Sequence, residues 1–277
     1  MKVLFVINIL LTLFSLSSQL KYLLPTKNTL RKISNQEIKV IEPIRTEPKD
    51  TYAALFFTGG NNIIPADIYT NFLTTLAAHR FSINLIPGNF KDYPALIKDL
   101  KKEYKGIVAI QHSSSTVLSI NLSKIDKSIK NFIFIDPVDN RIFFEEYRKI
   151  NNKINLYSAK KVLFLKAKKA YEWNLNPPAI PFIPFLSLNP HSFNFNRKCK
   201  VLTIEATDFG HTDILDKSLG DFMHNSRISV GNNNRNLEFI NDYHKWLSKT
   251  IHYFCYHDSE IKNMLKYGKI NYNITNH

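Results

Sequence analysis

The chain has 277 residues, 44% of them hydrophobic, which is enough to bury a full core as one domain. Its formal charge of +14 would suit nucleic acid, but the lysines (Lys98, Lys101, Lys102, Lys124, Lys127, Lys130, Lys160, Lys161, Lys166, Lys168 and Lys169) are scattered over several segments and no nucleic-acid motif accompanies them. We therefore expect no nucleic-acid partner, and a solvated basic surface whose possible consequence is peripheral contact with an anionic membrane surface.

The first twenty residues, MKVLFVINILLTLFSLSSQL, place a lysine near the start, then an apolar run, then small polar residues. That layout is a secretory signal peptide. The alternative is a retained membrane anchor, but the apolar run from Val3 to Leu16 is shorter than the roughly 20 residues a span needs. Secretion, or delivery to the lumen of the secretory pathway, is the expectation, and the sequons Asn121-Leu122-Ser123 and Asn273-Ile274-Thr275 would fit a glycoprotein on that route. Cys199 and Cys255 could form one disulfide there, although spacing alone does not bring them together, and they make no zinc pattern.

Residues 21–277 read as a single domain. Residues 21–50, polar and broken by Pro25, Pro43 and Pro48, predict an extended lead-in with a short strand near Glu37–Ile41. From Thr51 apolar runs of strand length alternate with longer amphipathic stretches, the pattern of a parallel sheet covered by helices. The predicted strands are Ala53–Phe57, Ser82–Ile86, Ile107–Ile110, Asn131–Ile135, Lys161–Leu165 and Lys200–Ile204, with helices at Ala66–His79, Tyr93–Glu103 and Ser114–Ile120. Leu237, Ile240, Tyr243, Leu247, Ile251 and Phe254, spaced by three or four, predict a last amphipathic helix. The stretch 176–195, NPPAIPFIPFLSLNPHSFNF, holds five prolines and reads as a long loop over one sheet edge.

Sites in open α/β sheets form at the carboxyl ends of strands. The first predicted strand ends in Thr58-Gly59-Gly60-Asn61-Asn62, a turn able to expose backbone N–H groups to a developing oxyanion, or simply a tight turn. The third ends in Gln111-His112-Ser113-Ser114-Ser115-Thr116. Aligned on the nucleophile elbow G-x-S-x-G, this makes Ser113 the nucleophile and the Ser114 N–H an oxyanion donor, with Gln111 and Ser115 where glycines would stand. Asp136 closes the fourth strand, and Asp208-Phe209-Gly210-His211-Thr212-Asp213 follows the sixth. A serine, an acid and a histidine in that chain order, each after a strand, is the α/β-hydrolase arrangement, in which His211 would take the Ser113 proton and Asp136 would orient the imidazole. Asp139, Asp208 and Asp213 remain alternatives for the acid, and His112 could be a packed neighbour or a pocket residue.

IDPVDN (135–140), the 176–195 stretch and above all DFGHTDILD (208–216) resemble the chlorophyllases and chlorophyllase-like members of the α/β-hydrolase superfamily; residues 54–88 are similar to that family's first core strand, oxyanion turn, helix and second strand. The resemblance covers about residues 50–216. It implies an α/β-hydrolase fold with a mostly parallel, doubly wound sheet, and a Ser113–Asp136–His211 triad that cleaves carboxylic esters with no metal and no organic cofactor. Gly59, Gly60 and Ser114 would supply the oxyanion hole. The elbow differs, QHSSST standing where the family has GHSRGG-like residues. The expected partner is a small ester or lipid, with Phe182, Phe185 and His112 as candidate pocket residues. A catalytically silent hydrolase-fold protein that binds a lipid or a protein partner is the alternative.

Overall fold

The computed structural model describes residues 24–139, 141, 153–171, 187–225, 232, 235–266 and 270–277. Residues 1–20, with the signal-peptide reading, lie outside that set, as do Phe182 and Phe185. Among the described residues no helix is long and apolar enough to cross a membrane.

A hairpin opens the described chain: β1 (Thr26–Ile33) and β2 (Gln36–Pro43) pair antiparallel, with Ile33 opposite Gln36 and the two-residue loop turned by Ser34 at φ 54°. Here the expectation of one short strand in an extended lead-in is corrected. In β2 the buried apolar positions are Ile38, Val40, Ile41 and Pro43, while in β1 only Ile33 is buried, so β1 carries little sequence signal.

Next come β3 (Tyr52–Phe57), helix α1 (Thr70–Ala77), β4 (Phe81–Leu85), α2 (Tyr93–Glu103), β5 (Gly106–His112), α3 (Thr116–Ile125), β6 (Asn131–Ile135) and the short β7 (Ile154–Leu156). They are followed by β8 (Lys161–Ala167), the short β9 (Phe193–Phe195), β10 (Lys200–Ala206), α4 (Lys217–Asn225), α5 (Leu237–Tyr256), α6 (Ile261–Lys266) and β11 (Tyr272–Asn276). Among the described residues nine strands form one sheet in the order β1-β2-β4-β3-β5-β6-β8-β10-β11. From β4 to β10 every neighbour is parallel; the hairpin and β11 are antiparallel additions at the two edges.

Both faces of the sheet are apolar because both are covered. Ala54, Phe56, Val108 and Ile110 face a core built with α1 and α5 (Phe72, Leu73, Leu76, Tyr243, Leu247, Ile251). Ala53, Leu55, Phe57, Ile107 and Ala109 face a second core with α2 and α3 (Leu96, Ile97, Leu100, Ile120, Leu122). The fold is thus a mixed α/β structure with a large, mostly parallel sheet flanked by helices.

Local chemistry sets the helix starts: Asp92 accepts the Ala95 N–H at 3.2 Å at the head of α2, and Asn236 accepts the Phe239 N–H at 2.8 Å at the head of α5. Leu237, expected on the apolar face of the last helix, is 58% exposed because it occupies the first helical position beyond that cap. The predicted helix at 66–79 is a 3₁₀ turn (Ala66–Tyr69) running into α1. Within 176–195 the described residues are not all loop: Phe193–Phe195 pairs in parallel with β7 to make a separate two-stranded sheet. Cys199 and Cys255 are both free thiols.

Candidate active site

The chain runs from β3 outward to β4, then crosses back to β5 on the other side of β3. That reversal leaves a crevice at the carboxyl ends of β3 and β5, where open α/β sheets place their sites. Thr58-Gly59-Gly60 leaves one of those strands and Ser113 the other, and the helical turn Gly59–Asn62 packs against the turn Ser113–Ser115.

Ser113 sits at φ 57° in the left-handed region, between extended His112 and a 3₁₀ turn that runs into α3. A non-glycine residue held there costs about 1–3 kcal/mol, which the surrounding structure must offset. Several contacts do so. The Ser113 carbonyl accepts from the Thr116 hydroxyl (2.9 Å) and the Val138 N–H (3.1 Å), tying the turn to α3 and to the loop after β6. Ser115, fully buried, has its hydroxyl 2.7 Å from the His112 carbonyl and 3.2 Å from that of Phe57, stitching β5 to β3. Gln111 is also fully buried, and among the described residues neither amide atom meets a hydrogen-bond partner.

Ser113 Oγ lies 2.9 Å from His211 Nε2. Burial pushes the His211 imidazolium down to about 4, so near neutral pH the ring is uncharged and its nitrogen lone pair is open to a proton. On the far edge of the ring, Nδ1 faces Asp136 Oδ2 at 3.8 Å. That exceeds hydrogen-bond length, as base–acid contacts in unliganded sites often do before substrate tightens them. Asp136, at φ 42°, is itself fixed: its backbone N–H donates to the Leu165 carbonyl (2.8 Å), and its Oδ1 accepts the Ala167 N–H (2.7 Å).

The other acids are engaged elsewhere. Asp139 pairs with Arg141 (2.7 Å), and Asp208 accepts from Asn271 at 3.2 Å. Asp213, fully buried, accepts the Gly210 N–H at 2.7 Å, the Asn232 N–H at 3.1 Å and the Arg235 guanidinium. Asp213 therefore shapes the His211 loop from behind. Asp136 is the carboxylate that faces the imidazole.

His112, considered as a pocket residue, is 2% exposed; its ring lies 4.7 Å from that of His211, and its Nδ1 is 2.8 Å from the Tyr69 hydroxyl. The Tyr69 oxygen in turn accepts the Gly59 N–H at 3.0 Å, so the Gly59 donor considered for an oxyanion is already in use. Tyr69 carried no readable signal in the sequence beyond a place in the helix predicted at Ala66–His79. The described end of the Pro/Phe-rich stretch reaches the same neighbourhood, Ser187 bridging to Val138 and the Leu188 N–H donating to the Pro137 carbonyl at 2.9 Å.

His112, Asp136 and His211 offer ligand atoms within 4.8 Å of one another, so they form a group that could hold a metal ion. Ligand atoms on one tetrahedral zinc stand about 3.4 Å apart, given bonds of about 2.0–2.1 Å. The two imidazoles moreover lie face to face, inclined by 30°. Holding an ion would require the three groups to draw together and the rings to turn; as they stand they fit a proton-transfer site better than a metal cage. No protein-family model matches the chain, and no curated protein matches it.

Proposed function

We propose that this chain is a serine carboxylic-ester hydrolase of the α/β-hydrolase fold, acting on an apolar ester through Ser113, His211 and Asp136. One observation carries the reading: a serine at a strand-to-helix turn, held at φ 57°, with Oγ 2.9 Å from the Nε2 of a buried neutral histidine. Such a serine is activated by its neighbouring base. The chlorophyllase-like segments IDPVDN and DFGHTDILD supply the acid and the histidine of the same group, which adds support from sequence.

In the reaction, Ser113 Oγ attacks the ester carbonyl carbon as His211 Nε2 takes the hydroxyl proton. Asp136 stabilises the imidazolium that forms. Collapse of the tetrahedral intermediate breaks the bond to the alcohol, which leaves with the proton from His211. Water then attacks the acyl-serine by the same route and releases the acid.

A fluorophosphonate reacts with a serine only when a base activates it. We expect the full chain to label, and Ser113→Ala and His211→Ala to lose labelling while keeping the fold by circular dichroism. The competing reading, a silent protein that binds a lipid or a partner, draws on buried Gln111 in place of an elbow glycine and on the 3.8 Å gap between His211 and Asp136. A folded chain that does not label would select it.

A further inference from the structure

Negative charge building on a substrate oxygen is stabilised by dipoles that are already aimed at it and need not reorganise. The glycine turn after β3 must therefore be held still. Two of its anchors run through Asn62: its Oδ1 accepts the Thr58 N–H at 2.8 Å, and its amide nitrogen donates to the Ile86 carbonyl, just beyond β4, at 2.5 Å. The third reaches into the site.

Gly59 N–H donates to the hydroxyl of Tyr69, a fully buried side chain at the entry to α1, and that hydroxyl lies against His112 Nδ1. A Cβ on Gly59 would stand 3.1 Å from both the Tyr69 oxygen and His112 Nδ1, so any larger residue there would have to push this pair back by a few tenths of an ångström. Tyr69 has one to give, its oxygen already accepts from Gly59, and His112 Nδ1 is its other hydrogen-bond partner. A hydroxyl that donates to Nδ1 puts the proton of neutral His112 on Nε2. Burial, reinforced by the nearby His211, pushes the His112 imidazolium well below its ordinary value, consistent with a ring that stays neutral.

We propose that Tyr69 is a positioning residue of this site. Its hydroxyl, accepting from Gly59 N–H and donating to His112 Nδ1, locks the glycine turn onto the nucleophile strand and leaves the Gly60 N–H as the turn's donor to the oxyanion. Gly60 sits at φ 62°, a conformation that suits glycine, and among the described residues no hydrogen bond engages its N–H. The inference rests on the serine-hydrolase reading. Its specific content is that the Gly59–Tyr69–His112 chain acts on the transition state and not on substrate binding.

The test measures Tyr69→Phe, His112→Ala, His112→Asn and the double variant Tyr69→Phe/His112→Ala in the full chain. The readouts are kcat and KM on p-nitrophenyl butyrate, the Ki of a boronic acid that mimics the tetrahedral intermediate, and active-site titration with a fluorophosphonate. Normalising to titrated sites removes any loss that comes from unfolded protein. We expect Tyr69→Phe to lower kcat per site by about 10–100-fold with KM within about threefold, and to raise the boronate Ki by a similar factor.

His112→Ala should match it. His112→Asn, whose amide oxygen can stand where Nδ1 accepts, should recover most of the rate. The double variant should be no worse than either single, because both break one chain. A Tyr69→Phe protein with kcat per site within twofold of the parent, or losses that multiply in the double variant, would overturn the proposal. Should Tyr69→Phe not fold, the contrast between His112→Asn and His112→Ala decides alone, equal rates overturning it. A parent chain that titrates no site overturns the serine-hydrolase reading, and this inference with it; a parent that titrates beside an unaffected Tyr69→Phe overturns this inference only.

Discussion

At Ser113 two signals coincide that an ordinary polar turn would not supply together, a left-handed backbone and a hydroxyl within hydrogen-bond reach of an imidazole. The local sequence hides the first. Gln111 and Ser115 stand where an elbow has glycines; Ser115 fits because its side chain is small and its hydroxyl finds the His112 carbonyl, while Gln111 fits only by burying an amide without partners among the described residues. His211 would make the second signal chemically useful, since burial lowers its pKa from 6.5 to about 4. Only the neutral ring accepts the Ser113 proton, so the reactive form persists below pH 6.5 and is lost as the pH falls toward 4. We expect the fluorophosphonate rate constant, measured from pH 8 down to pH 4.5, to reach half its plateau at a pH below 6.5. A midpoint at or above 6.5 would mean that His211 is not held neutral by burial.

At the scale of elements, the loop after β10 that presents His211 is held through Arg235, just ahead of α5, and through Asp221 on α4. Asp213 takes the Gly210 N–H and the Arg235 guanidinium, and Arg235 also reaches Asp221 on α4 at 3.0 Å. Gly220 on α4 makes room for it: a Cβ there would lie 1.9 Å from Arg235 Nη2. Breaking a buried ion pair on one side strands the other charge, which costs about 3–5 kcal/mol, although partial relaxation of Arg235 toward solvent would recover some of it. We expect Gly220→Ala to destabilise the fold by about 2–4 kcal/mol in urea titrations and to slow labelling of Ser113. An alanine variant with parental stability and labelling rate would mean that Arg235 does not hold the loop. The sequence offered Asp213 as a possible catalytic acid because only spacing was visible. Its role as a brace depends on Arg235, 22 residues further along the chain.

Over the whole molecule, burial sets the response to acid. His79 is pushed down to about 3, and His211, His244 and His252 to about 4, each chiefly by desolvation. Unfolded, these side chains take up protons below about pH 6.5. The folded protein refuses them until the pH nears their lowered values, so their contribution to stability is full above pH 6.5 and is lost as the pH falls from 6.5 toward 4. Thermal unfolding at pH 7.5, 6.0 and 5.0 should show a falling Tm across that series. A flat Tm would show that the buried histidines are solvated before unfolding.

The sequence by itself determined the central parallel strands, their flanking helices and the positions of Ser113, Asp136 and His211 at strand ends, because doubly covered strands and amphipathic helices write their burial into local periodicity. It did not determine the edge strands: β1 buries almost nothing along its length, and β11, five residues long, packs only Tyr272 and Ile274 against the core while its backbone pairs with β10. Only the tertiary structure decided which acid faces His211, that Ser113 adopts a left-handed backbone, and that Tyr69 takes the Gly59 N–H. The contacts that make these features a site join residues distant in sequence, 98 apart for Ser113 and His211 and 43 apart for Tyr69 and His112, and local periodicity carries no information on such distances.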